Sequence, residues 1–387
     1  MEVIDPLMNR TKIKPNHLRG WYALAALCLL CSGGTARAAL EVPTFSPAGG
    51  IFLNDLKLKI TAKGSATIRY TLDGSDPTES SPVYSQPLQI SNTAVVKARC
   101  FEKGQSGASA AELFAVADET MAAFSSNLPL VILHNVNGRV NARNAAPCYA
   151  RVLIPGEKGR TTLTGPTDFQ GFGTVKRRGR SSLEYPKNSF TFHTVDLHGD
   201  DLKVPILGMP KESAWILYAP YPDKTLMRDV LAYELSTKMG HYAPRTRFVE
   251  LFVSRPGAKI SRRSYAGVYV FEEKIKRDKN RVNIAKLTPD QNKEPEITGG
   301  YIFKKDHSDK GDPGFRTDRG SYFYYDTPKP EEITRQQKAY LVNYLDKLEG
   351  ALYGPKFRDP VQGYAAYLDV NSMIDHHWIV EFSKNVD

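Results

Sequence analysis

The stretch Lys176-Arg-Arg-Gly-Arg-Ser-Ser-Leu-Glu-Tyr-Pro-Lys-Asn-Ser-Phe-Thr-Phe192 sets the reading of the chain. Its cations are Lys176, Arg177, Arg178, Arg180 and Lys187, interrupted by Gly179. Phe190-Thr-Phe192 alternates as a strand does. Cations on a strand, beside a glycine that admits close backbone approach, suit phosphate oxygens. A solvated edge strand kept from edge-to-edge pairing by its charge has the same sequence signature. The flanking sequence has to decide between them.

The full chain has 387 residues, 41% hydrophobic and 24% charged, a globular composition with room for two or three domains. Arg10, Lys12, Lys14 and Arg19 precede the short apolar run Trp21–Leu30, and Ala36-Arg-Ala38 supplies small residues for cleavage. Residues 1–38 therefore read as a secretory signal peptide, and the mature protein is expected to be exported and soluble. No later run has the roughly 18 apolar residues of a membrane span. Losing five cations and two anions with that segment lowers the formal charge from +10 to +7. Such an excess permits anionic ligands. No RNP-like, helix-turn-helix or finger spacing accompanies it, so nucleic acid is not implied. Cys100 and Cys148 remain after cleavage, either as a pair or as two buried thiols.

Residues 39–118 read as short strands. Ala66–Leu72 alternates and ends in Asp73-Gly-Ser-Asp-Pro77, a turn built on a locally bonding Asp, a Gly at positive φ and a Pro of fixed φ. Ala94–Cys100 is a further strand. Regular short strands of this kind suggest a small β-sandwich. Tyr70-Thr-Leu-Asp-Gly-Ser-Asp-Pro-Thr78, with Tyr84, Pro87 and Val95–Arg99, resembles the chitobiase/β-hexosaminidase C-terminal-type module. The resemblance implies a non-catalytic, immunoglobulin-like appendage that acts as a spacer or contacts a glycan or surface.

Residues 119–127 read as a linker, and residues 128–195 as β-rich. Asp223 is placed to cap a helix with Leu226, Met227, Val230, Leu231, Leu235 and Met239 on one face. Arg247–Val253 and Tyr265–Glu273 read as a hairpin. Thr334-Arg-Gln-Gln337 is a capping box opening a helix whose apolar face includes Leu341 and Leu345. Asp369 caps a last helix with Ile374, Trp378, Ile379 and Phe382 on its apolar face.

In order along the chain come Pro186-Lys187, Leu207-Gly-Met-Pro210, Trp215-Ile-Leu217, Asp223–Arg228, Ala243–Glu250, Gly267–Lys276, Arg281-Val-Asn-Ile284 and Ile297–Tyr301. This series resembles the CotH kinase family from about Leu128 to Asp387. The resemblance implies an α+β, atypical protein-kinase-like two-lobed fold over residues 128–387. It also implies use of ATP and a divalent cation, Mg2+ or Mn2+, to phosphorylate Ser or Thr of a protein partner. Phosphoryl transfer needs cations on the phosphates, a metal held by carboxylates and an Asp near the nucleophile. By resemblance, Lys187 and Arg180 are the phosphate-binding residues and Arg228 a further one, while Lys176 and Arg177 keep the solvated-edge reading. Glu273 matches a family Glu that pairs with a lysine or lines the adenine pocket. Asp387 matches the essential active-site and metal-binding carboxylate of an Asn-x-Asp motif, supported by Asn385.

The family continues into a Trp-Asp-containing strand, and this sequence stops before it. The polypeptide as given is therefore expected to have a C-terminally truncated kinase domain and little or no kinase activity. Two other functions remain open: an exported adhesion or binding protein that uses the fold as a scaffold, and a carbohydrate-associated accessory protein.

Overall fold

The computed structural model describes residues 39–136, 138, 140–305 and 313–384. The signal-peptide reading of residues 1–38, together with Asn385 and Asp387, lies outside the described residues. Residues from Leu40 onward form one compact unit, mixed α+β but mostly strand, with three α-helices among the described residues.

Seven strands open the unit: β1 (Thr44–Ser46), β2 (Gly50–Phe52), β3 (Leu56–Thr61), β4 (Thr67–Thr71), β5 (Leu88–Ile90), β6 (Ala94–Glu102) and β7 (Gln105–Val116). They form a three-stranded sheet, β1-β3-β5, and a four-stranded sheet, β2-β7-β6-β4. Leu58, Ile60, Ile90, Val96, Ala98, Phe114 and Val116 fill the core between them. The turn after β4 forms as its sequence predicts. Asp73 Oδ1 accepts from Ser75 N at 3.0 Å, and Gly74 takes φ +78°. Cys100 and Cys148 are both buried free thiols.

Next come β8 (Ser125–Ser126), β9 (Leu130–Asn135), β10 (Ala146–Leu153), β11 (Thr161–Thr162), β12 (Thr167–Arg178), β13 (Ser189–Thr194), β14 (Val204–Ile206), β15 (Met209–Glu212), β16 (Ala214–Tyr218), β17 (Thr246–Ser254) and β18 (Tyr265–Glu273). Seven of them close into a barrel in the order β10-β12-β13-β16-β18-β17-β9. All its pairings are antiparallel except β9 with β17, where Leu130 faces Glu250 and His134 faces Ser254. Alternation sends Val131, Leu133, Cys148, Val175, Phe192, Trp215, Leu217, Tyr269 and Phe271 into the barrel core. Outward-facing Leu130, Ile132, Tyr149 and Phe252 pack with Val95, Leu113 and Met121, which joins the first seven strands to the barrel wall.

The helix α1 (Arg228–Lys238) follows β16. It starts later than Asp223 predicts. Asp223 instead organises the preceding turn, accepting from Thr225 N at 3.0 Å and Arg228 N at 2.9 Å. No residue of α1 is buried, contrary to its apolar pattern. The polar pair Asp229 and Tyr233, one turn apart, faces the barrel, which leaves Met227 and Leu231 exposed.

The last strands, β19 (Ile302–Lys304), β20 (Gly314–Arg316) and β21 (Tyr322–Thr327), make a small sheet. Phe315 of this sheet packs with Leu341 and Leu345 of α2 (Arg335–Tyr353). The Thr334–Gln337 capping box is present in both directions. Asp369 caps α3 (Val370–Ser383) by accepting from Ser372 N. The apolar face of α3 stays open, with Ile374, Trp378 and Phe382 all exposed. Helices α1 and α3 lie together, joined by His241 Nε2 and Asp375 Oδ2 at 2.7 Å.

Candidate phosphate-binding face

The hairpin of β12 and β13 carries the basic stretch. Gly179 turns it at φ +117°, and a Cβ there would stand 1.9 Å from Ser182 Oγ, so only glycine fits. Arg177 points to the barrel interior side and donates to Leu183 O at 2.9 Å. Lys187 is half-buried. Its ammonium donates to Val268 O and lies 4.6 Å from the centre of the Tyr269 ring. Burial lowers its pKa. Tyr269 in turn donates to Asn188 O at 2.9 Å. Lys187 thus braces the hairpin against β18. Arg180 is exposed in the hairpin loop.

Glu273 sits at the opposite end of β18. It accepts from Arg245 Nη1 at 3.0 Å and Arg245 N at 3.1 Å, and Arg281 Nε is 3.7 Å away. Its pairing is therefore with two arginines rather than a lysine. Arg228 opens α1, with its Nε 3.6 Å from Asp223. These residues do not converge. The Lys187 contact at Val268 and Glu273 are five residues apart on one strand, roughly 17 Å.

A different set does converge, on the outer face of β12-β13-β16-β18. One cross-strand row runs Lys176, Thr191, Ile216, Glu272. Two residues along β12, on the same face, comes Arg178; on the other side of the row, just past the end of β18 and two residues from Glu272, comes Lys274. Glu272 is only 5% exposed, and its Oε2 has no hydrogen-bond partner among the described residues. Burial pushes its pKa up to about 8, opposed by Arg178 and reinforced by Asp229. Asp229 reaches this face from α1 beside the Tyr218 hydroxyl, and burial raises its pKa as well. Tyr233, one helical turn on, is raised by burial and by Glu272. Lys274 is lowered by burial and by Lys329, with Asp326 opposing.

The face therefore offers three cations, the buried carboxyl of Glu272 and the half-buried carboxyl of Asp229 under a helix. Cations so placed suit phosphate oxygens. The orphaned Glu272 oxygen and Asp229 fit the carboxylate part of a site for a divalent cation that rides on nucleotide phosphates, which takes only one or two protein carboxylates. Among the described residues no cluster of three His, Cys, Asp or Glu side chains is arranged to hold a metal alone. Sequence reasoning set Lys176 aside as a solvated-edge cation, gave Arg178 no role beyond membership of the basic stretch, and passed over Glu272, Asp229 and Lys274. The available signal was the i, i+2 spacing of Lys176 with Arg178 and of Glu272 with Lys274, which puts each pair on one face.

The family profile described as CotH kinase protein matches residues 175–387, more than half of the sequence. The chain belongs to the CotH kinase protein family. The chitobiase/beta-hexosaminidase C-terminal domain profile matches residues 47–111, ahead of it. A search of curated proteins returned no match.

Proposed function

We propose that this chain is a CotH-type protein kinase that binds ATP on the outer barrel face beneath α1 and transfers its γ-phosphate to Ser or Thr of surface or secreted proteins. The observation that carries the reading is the family match, whose first residue falls on the strand bearing Lys176 and Arg178. Those two cations and Lys274 hold phosphate oxygens. Glu272 and Asp229 supply carboxylate oxygens for Mg2+ or Mn2+. A divalent cation bound there would neutralise charge on the β- and γ-phosphates. The barrel is read as one lobe of a kinase-like fold, and the α2 and α3 region as part of the other.

Arg180 and Arg228 remain further phosphate contacts by resemblance. Asp387, with Asn385, remains the catalytic and metal-binding carboxylate of the family motif. Export by residues 1–38 belongs to the same proposal, as does glycan or surface contact through residues 39–118. No helix among the described residues is long and apolar enough to cross a membrane.

ATP binding to the whole chain tests the placement. Lys176→Ala with Arg178→Ala is expected to weaken it at least tenfold. Lys187→Ala is expected to lower the melting temperature and leave affinity within twofold. Loss of ATP binding in Lys187→Ala at unchanged stability would move the phosphates to the hairpin. The adhesion reading draws on the exposed Met227, Leu231, Trp378 and Phe382. Surface binding that survives in the Lys176→Ala/Arg178→Ala variant would favour it.

A further inference from the structure

The barrel has a second polar opening, away from the face described above. At the end where β9, β12 and β17 finish and β13 begins lies a cleft of about 600 Å3, lined by residues including Asn135, Arg177, Phe190, Val253 and Arg255. That volume is within the range of small-molecule sites.

Two buried polar atoms on its lining residues lack partners among the described residues, Asn135 Oδ1 and Arg177 Nε. Asn135 is 5% exposed, and its amide nitrogen donates to Gly138 O at 2.5 Å. That bond fixes which end of the amide is the free acceptor. Arg177 spends Nη2 on Leu183 O, which leaves Nε–H as a free donor. A buried polar group without a partner is destabilising, because it has given up water and gained nothing in exchange. Two beside one cleft are best explained by a ligand that satisfies both.

The lining dictates the chemistry of that ligand. Among the described residues it contains two guanidinium groups, Arg177 and the exposed Arg255, and no Asp or Glu. An anionic oxygen is therefore favoured. The free Asn135 oxygen would repel a bare anion and requires an O–H or N–H. Phe190 and Val253 add an apolar wall suited to the C–H face of a ring.

We propose that this barrel mouth binds a polyhydroxylated anion of sugar size, with its anionic group toward Arg177 and Arg255 and a hydroxyl donating to Asn135. A sugar carboxylate and a sugar phosphate share this chemistry. The site is separate from the proposed ATP face, because Arg177 and its neighbours Lys176 and Arg178 point to opposite sides of β12.

Calorimetric titration of the full chain with D-glucuronate, D-glucose 6-phosphate, D-glucose and sulfate provides the test. At least one sugar anion is expected to bind, with glucose and sulfate each at least tenfold weaker; the tighter sugar anion identifies the anionic group. Arg255→Ala, a surface change, is expected to weaken binding at least fivefold and Asn135→Ala about tenfold. Lys176→Ala with Arg178→Ala should leave it unchanged. Failure of both sugar anions to bind would overturn the proposal. Equal binding of glucose or sulfate, or indifference to Arg255→Ala, would do the same. Should Asn135→Ala not fold, the ligand series and Arg255→Ala still decide.

Discussion

Glu273 and Arg281 meet at one end of the barrel interior, with Arg281 Nε 3.7 Å from Glu273 Oε1 and both side chains withdrawn from solvent. The guanidinium also donates to Ala214 O at 3.0 Å and Lys274 O at 2.6 Å, and stands 5.2 Å from the Trp215 ring centre. Removing Glu273 strands Arg281 in the interior, whereas removing Arg281 leaves Glu273 paired with Arg245. Glu273→Ala is expected to cost about 3–5 kcal/mol, and Arg281→Ala less. Urea unfolding measures this, and a loss below about 1 kcal/mol for both would show the pair to be dispensable.

Glu272, the adjacent residue on the opposite face, gives a pH signature. Its pKa is raised from 4.5 to about 8. Below about pH 4.5 the group is protonated in folded and unfolded chains alike, and its contribution to stability is complete. As pH rises toward 8 the unfolded chain releases the proton first, so stability is lost across that window. Glu272→Gln should flatten this loss. Relative to the parent it should gain up to about 4 kcal/mol between pH 5 and pH 9. A difference between parent and variant that is the same at both pH values would count against an orphaned carboxyl.

The contact of His241 with Asp375 fastens α3 to the end of α1. Neither helix buries a residue, so this polar link carries an unusual share of their docking. His241→Ala should raise amide hydrogen exchange in α3 while the barrel strands keep their protection. Unchanged exchange in α3 would show that side-chain stacking alone suffices.

Thr334 and Gln337 form a reciprocal cap, and Gln337 also donates to Thr288 O at 2.8 Å and Gln291 O at 3.0 Å. Thr334→Ala is expected to cost about 1 kcal/mol, the usual loss for an N-cap. Gln337→Ala should cost more, because it also frees two carbonyls of a distant loop. Calorimetric melting of the two variants compares them; the reverse order would sink the reading of Gln337 as a tether.

What the sequence made legible was local. The Asp73 turn, the Thr334 box and the Asp369 cap each depend on residues within a few positions of one another, and each forms, as does the β17–β18 hairpin between neighbouring strands. The barrel was not legible, because it closes through β9 and β17, whose pairing joins residues 120 apart in the chain. The basic stretch shows the same limit at a finer scale. Which of its cations faces outward depends on register with β13, β16 and β18, none of which the stretch itself encodes. Lys187 looked free because its partners, Val268 O and the Tyr269 ring, lie far along the chain. Glu272 and Glu273 had to point to opposite faces, but nothing local disclosed that both faces were covered.

The parallel pairing of β9 with β17 also bears on where the protein can be divided. A cut at residue 175, where the family match begins, would remove β9, β10 and most of β12. The remaining strands would form an open sheet with the short remnant of β12 and β17 as unpaired edges and its interior apolar face bared, a form prone to self-association. The natural unit of manipulation therefore begins no later than Leu130. A fragment started at residue 175 would report on aggregation before it reported on phosphate transfer.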